Sequence, residues 1–121
     1  MRSPRRRWSW CLAVCGVGLL VAGCADAAAD NATVMMTGDL RFEPAAVDVP
    51  VGGTVTWQND GITQHTVTAV GEDREPTGAF DSGTVIGTGT FAVTFEQPGS
   101  YLYLCRFHGD REMVGLVEVV P

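Results

Sequence analysis

Four residues of this chain have side chains that could together bind a soft metal: His65, Cys105, His108 and Met113. Three of them fall in one short run, Cys-x2-His-x4-Met, and His65 lies forty residues earlier. A soft thiolate and two imidazoles in a near-trigonal plane, with a weak axial thioether, suit copper cycling between Cu(I) and Cu(II). None of the four is informative alone. A histidine at a strand start is commonly a satisfied polar residue, a lone cysteine a small buried hydrophobe, and a methionine core filler. Their joint spacing is what makes them a ligand set, and it uses both histidines of the chain.

The elements that must position these side chains read as β throughout. Val47, Val49 and Val51 alternate, and Gly52-Gly53 then turns the chain. Val55, Trp57 and Asn59 share one face of the next strand, which ends in the turn signal Asn59-Asp60-Gly61. His65, Val67 and Ala69 alternate on the following strand, and residues 71–78 form a polar loop. More strand follows from Phe80 to Phe95, broken by Gly83, Gly87 and Gly89. After the Pro98-Gly99 turn, Tyr101, Tyr103 and Cys105 share a face opposite Leu102 and Leu104, and a last strand runs from about Met113 to Val120. Trp57, Tyr101 and Tyr103 are core aromatics, and Met35 and Met36 are strand residues with no partner at ligand spacing. No stretch of this part has a 3.6-residue period. The expected fold is an all-β, Greek-key antiparallel β-sandwich of about seven to eight strands. A strand ending in Cys105 would place the sulfur at one end of the sandwich, where the chain must curl and bring His108 and Met113 back to the same point.

The N-terminal residues have a different character. Arg2, Arg5, Arg6 and Arg7 form a positive head, and Trp8 to Val21 an apolar run of signal-peptide length, shorter than the ~20 residues of a membrane span. Val21-Ala22-Gly23-Cys24 resembles the bacterial lipoprotein box. Residues 1–23 are expected to be a removed lipoprotein signal, Cys24 to carry lipid, residues 24–32 to be a flexible tether, and residues 33–121 to be the folded domain. An ordinary secretory peptide cut after Ala27 to Ala29 is the alternative. From Cys24 onward all fourteen acidic residues face only Arg41, Arg74, Arg106 and Arg111, a net charge of −10 against −6 for the whole chain. That surface argues against nucleic acid and for a partner with a basic face. With Cys24 lipidated, Cys105 is the one thiol left, and it can make no internal disulfide.

From about Asp39 to Val120 the sequence resembles the cupredoxin family of blue copper proteins, with a plastocyanin-like Cys-to-Met spacing. The matching residues are Phe42-Glu43-Pro44, Gly53-Thr54-Val55-Thr56-Trp57-x-Asn59, His65-Thr66-Val67, Phe95, Pro98-Gly99-x-Tyr101-x-Tyr103-x-Cys105, His108 and Met113-x-Gly115. The resemblance implies one type 1 copper held by His65, Cys105, His108 and Met113, with electrons leaving through the exposed edge of His108. Three positions depart from plastocyanin, pseudoazurin and amicyanin. Phe107 stands where they have proline before the loop histidine. Its N–H is expected to give the thiolate a second hydrogen bond beside one from Thr66, raising the reduction potential. Thr66 stands where they often have asparagine, which takes away the amide that usually braces the two ligand segments. Gly109-Asp110-Arg111-Glu112 makes the surface around His108 charged rather than apolar.

The expected function is one-electron transfer by a lipid-anchored, exported monomer facing the periplasm or cell exterior, with a cytochrome, oxidase or reductase as redox partner. A copper oxidase or reductase would need more histidines for its catalytic coppers, and a dinuclear centre a second bridging cysteine. A cysteine hydrolase pairing Cys105 with a histidine would leave Met113 unexplained. Copper binding or delivery without electron transfer remains the alternative, since the ligand set suits both.

Overall fold

The computed structural model describes residues 30–121; the expectations for the signal, the lipidated Cys24 and most of the tether fall outside the described residues. Among the described residues, nine strands form two sheets. The first contains β1 (Asn31–Met36), β2 (Phe42–Glu43), β4 (Thr54–Asn59) and β7 (Thr90–Thr94), in the order β2-β1-β4-β7. The second contains β3 (Ala46–Pro50), β5 (Thr68–Val70), β6 (Pro76–Asp81), β8 (Gly99–Leu104) and β9 (Val114–Val120), in the order β3-β9-β8-β5-β6. The only helical turn among the described residues is a 3-10 turn, Gly109–Arg111.

The all-β sandwich agrees with the sequence reading, but its sheets are mixed. β1 pairs parallel with β4, and β3 parallel with β9. The chain leaves the first sheet after β2, runs along the second as β3, and returns beside β1 as β4. A neighbouring strand reached by such a crossover runs parallel, whereas the direct turn from β8 to β9 gives an antiparallel pair. Residue alternation is identical in both cases, so it carries no information on strand direction.

Local readings shift in three places. Asn31 and Ala32, assigned to the tether, belong to β1 and pair with Thr54 and Val55. The 71–78 loop is shorter than expected, because Pro76, Thr77 and Gly78 open β6. As the edge strand of its sheet, β6 tolerates proline and glycine that an interior strand would not. Residues 65–70 are buried on both faces rather than alternating. Val67 and Ala69 face the core and His65 is equally buried, while Thr66 and Thr68 are taken up in hydrogen bonds.

The core draws Val34, Met36, Val55 and Trp57 from the first sheet and Val49, Tyr103, Val117 and Val119 from the second. Fully burying side chains of this size stabilises by roughly 1.5–3 kcal/mol each. At the centre, Tyr103 meets Phe42 edge-on at 4.7 Å and Trp57 at 5.2 Å between ring centroids. Two polar atoms are left there without a hydrogen-bond partner, Trp57 Nε1 and the Tyr103 hydroxyl. Burial pushes the Tyr103 phenol up to about 12, partly offset by the neighbouring Trp57 indole N–H, which makes no hydrogen bond of regular geometry to the hydroxyl. This tyrosine stays neutral, a structural ring with a costly hydroxyl.

Candidate metal centre

The loop between β8 and β9 supplies three of the four expected ligands. Cys105 follows β8 directly, and the loop folds back through short backbone bonds. The His108 N–H donates to the Cys105 carbonyl (3.2 Å), the Met113 N–H to the His108 carbonyl (3.3 Å), and the Cys105 N–H to the Met113 carbonyl (3.1 Å). Met113 is thereby held against both Cys105 and His108, with its side chain fully buried. Glu112 takes a left-handed conformation (φ 65°) that ends the 3-10 turn and redirects the chain into β9. Arg74 holds the loop from outside, donating from Nη1 to the Gly109 carbonyl (3.1 Å) and pairing with Glu112 at 3.5 Å.

His65 arrives from the other sheet connection. The turn after β4 is closed by Asn59 and Asp60 side chains accepting from the Gly61 and Ile62 N–H groups. Gly61 there has φ 96°, a conformation that glycine adopts without strain. The Asn59 amide then donates to the Thr63 carbonyl (2.7 Å) and the Val85 carbonyl (3.2 Å). Val85 in turn exchanges two backbone hydrogen bonds with His65. Asn59 thus acts on His65 through the segment that fixes its backbone. Asn59→Ala would leave both carbonyls short of a buried donor, and it is expected to cost about 1–3 kcal/mol in urea unfolding. An unchanged unfolding midpoint would show that Asn59 does not hold this turn.

These segments bring His65 Nδ1, Cys105 Sγ and His108 Nδ1 together. The three donor atoms lie within 4.8 Å of one another, with Sγ 3.9 Å from His65 Nδ1 and 3.4 Å from His108 Nδ1. Metal–sulfur and metal–nitrogen bonds of about 2.3 and 2.0 Å at a trigonal angle place S and N roughly 3.7 Å apart. The two observed distances bracket that value, so the residues present fit a single first-row metal ion. The soft sulfur with two imidazoles selects copper among those ions.

The imidazole of His65 is oriented by a residue that the sequence did not reveal. Its Nε2 lies 3.0 Å from the Thr37 carbonyl. A carbonyl can only accept, so Nε2 carries the proton and Nδ1 presents its lone pair to the cluster. Burial, followed by the nearby His108, holds the His65 pKa below its usual value and favours the neutral form that a metal requires. Because Thr37 contributes only backbone, no residue type could have signalled it.

Around the Cys105 sulfur, one of two expected hydrogen bonds is formed. The Thr66 N–H donates to Cys105 Sγ (3.4 Å). Phe107 N–H forms no hydrogen bond to the sulfur, so the expected rise in potential from that source has no structural basis. The brace between the ligand segments is retained in another form: the Thr66 hydroxyl accepts the Arg106 N–H at 2.9 Å.

Exposure divides the four candidate ligands. His65, Cys105 and Met113 are buried, and His108 alone is partly open to solvent. The surface at this end is also less uniformly charged than expected. Ile62, Ile86 and Phe107 are 80%, 62% and 50% exposed, on the three loops that flank His65, Val85 and His108. The charged loop residues account for only part of the surface.

The comparisons with known proteins agree with this geometry. The profile of copper binding proteins of the plastocyanin/azurin family matches residues 29–120. Halocyanin of Natronomonas pharaonis is 37% identical over 101 residues, covering 78% of this chain and 60% of its own length. Chloroplastic plastocyanin of Tetradesmus obliquus is 32% identical over 112 residues, covering 84% of this chain and 77% of its own. Among solved structures, a purple cupredoxin from Nitrosopumilus maritimus superposes with a TM-score of 0.67 at 31% identity, covering 74% of this chain and 99% of that one.

Proposed function

Because this chain belongs to the plastocyanin/azurin family of copper-binding proteins, we propose that it is a mononuclear blue copper protein carrying single electrons at the outer face of a membrane. The observation that carries this reading is the division of the donor cluster. His65 Nδ1 and Cys105 Sγ are enclosed, while His108, whose Nδ1 lies 3.4 Å from the sulfur, reaches the surface. Bound there, copper would supply a one-electron Cu(I)/Cu(II) couple. The chain's own contribution is to hold the donors still and leave one path out. Thr37 fixes the His65 ring, Thr66 holds the sulfur, and strands on both sides anchor the loop. A site held this firmly changes little with charge, which favours fast transfer.

The redox partner would dock over His108. Ile62, Ile86 and Phe107 provide apolar contact that excludes water, and the acidic remainder of the surface favours a partner with a basic face. Both histidines of the chain lie in this one cluster, leaving none for a second, catalytic metal. This supports a carrier rather than an enzyme.

Voltammetry of the copper-loaded protein tests the reading. A reversible one-electron wave, with copper retained through repeated cycles, is expected. Loss of the metal on reduction, or its passage to an acceptor protein, would instead favour copper delivery. The outer-face location draws support from the arginine head, the apolar run and the Cys24 box. Cys24→Ala is expected to move the protein from the membrane fraction to the soluble fraction. Retention on the membrane would count against the lipid anchor.

A further inference from the structure

Four side chains beside the site close a hydrogen-bonded ring that begins and ends on Arg106. The Arg106 N–H donates to the Thr66 hydroxyl (2.9 Å), and that oxygen lies 3.1 Å from the Thr68 hydroxyl. Thr68 donates to Asp81 Oδ1 (3.3 Å), and Asp81 pairs with the Arg106 guanidinium at 3.3 Å. Since the Thr68 proton is committed to the carboxylate, Thr66 must be the donor in the hydroxyl pair. From the Arg106 amide through Thr66 and Thr68 the donors therefore point towards the Asp81 carboxylate, the arrangement in which successive bonds polarise one another, and the guanidinium donates to the same anion from the other side.

The sheet register makes this ring. Thr68 on β5 stands opposite Leu104 on β8 and Asp81 on β6. Two residues outward along the β5–β8 antiparallel pair, Thr66 meets Arg106. Thr66 and Thr68, two apart in extended chain, present their hydroxyls to the same side. Both threonines are fully buried. The Asp81 carboxylate is itself held by the Gly83 N–H (2.9 Å).

We propose that Thr68 and Asp81 are positioning residues of the metal centre, acting through Thr66 and Arg106 on the sulfur of Cys105. Thr66 is the point of contact: its N–H reaches Sγ and its hydroxyl holds the residue after Cys105. Thr68 and Asp81 set the direction of that hydroxyl, and the Arg106 side chain closes the ring onto the same ligand loop. The proposal rests on the reading of Cys105 as a ligand, but its first consequence concerns the protein without metal.

Hydrogen exchange of the metal-free protein, followed amide by amide by NMR, tests it. In Thr68→Val and Asp81→Ala the Arg106 amide is expected to exchange about tenfold faster, corresponding to one lost hydrogen bond of ordinary strength. The Trp57 and Tyr103 amides should keep their rates, and Thr68→Ser should restore the Arg106 rate. In the copper-loaded protein, Thr68→Val is expected to shift the thiolate absorption band, and Thr68→Ser to leave it in place. Unchanged exchange at Arg106 in Thr68→Val would overturn the proposal. So would acceleration shared equally by Trp57 and Tyr103, which would make the ring a general packing feature. If the unsubstituted protein gave no thiolate band with Cu(II), the copper reading would fail, and the metal-free exchange rates would still decide whether the ring holds the loop.

Discussion

Cys105→Ser is expected to abolish the intense visible absorption of the copper-loaded protein and to weaken copper binding by more than ~100-fold. Loss of groups that merely support metal ligands typically costs 10–100-fold in affinity, and Cys105 would be a ligand itself. Serine nearly matches cysteine in shape, so the packing around position 105 should survive. What disappears is the soft sulfur that lies 3.9 Å from His65 Nδ1 and 3.4 Å from His108 Nδ1 and accepts the Thr66 N–H. An alcohol does not deprotonate under the same conditions and offers no low-energy charge transfer to Cu(II). Titration of the metal-free protein with Cu(II), followed by absorption, separates the outcomes. A band that saturates at one copper in the parent and is missing in Cys105→Ser is the expected result. A band of equal strength in Cys105→Ser would remove Cys105 from the ligand set.

The second large effect concerns stability and lies on β9, just beyond Met113. Gly115 on β9 is paired with Tyr103 on β8, and a Cβ at 115 would overlap the Tyr103 ring at Cζ and the hydroxyl and sit 2.7 Å from Cε2. The ring cannot swing aside cheaply, because Phe42 and Trp57 pack edge-on against it. Overpacking of a core commonly costs about 1–3 kcal/mol, sometimes more. With rigid aromatic neighbours, Gly115→Ala is expected at the upper end, about 3 kcal/mol or more. For a urea slope of roughly 1–3 kcal/mol per molar, the unfolding midpoint falls by at least about 1 M. A fall of less than about 0.3 M would mean that the strands can part without penalty at this point. Tyr103→Phe is the informative companion, because it removes a buried hydroxyl that has no partner. It is expected to leave stability equal or slightly higher, since replacing an unsatisfied buried group by an apolar one avoids its desolvation cost.

The two experiments probe one piece of construction. β8 delivers Cys105 and β9 departs from Met113, so the Tyr103–Gly115 contact sets how closely the strands flanking the ligand loop approach. The glycine in the Met113-x-Gly115 pattern follows from that closeness: the position opposite Tyr103 has no room for a side chain.

By itself the sequence determined the ligand candidates, the all-β class and much of the core. His65, Cys105, His108 and Met113 stood out as candidates because metal chemistry demands particular side chains, and the fold brings the donor atoms of His65, Cys105 and His108 together. Val55, Trp57 and Asn59 were legible because a strand with one buried face alternates every second residue. Other features exist only in the packed chain. The parallel pairing of β1 with β4 depends on which sheet the chain visits in between, and alternation does not encode direction. The hydrogen bond from His65 to the Thr37 carbonyl and the Val85 bridge use backbone atoms, which every residue carries alike. The brace from Thr66 to Arg106 needed the register of β5 against β8, which carries the Thr66 hydroxyl to the Arg106 N–H. Side-chain chemistry is written residue by residue in the chain, whereas backbone partners, register and strand direction exist only once distant segments have packed together.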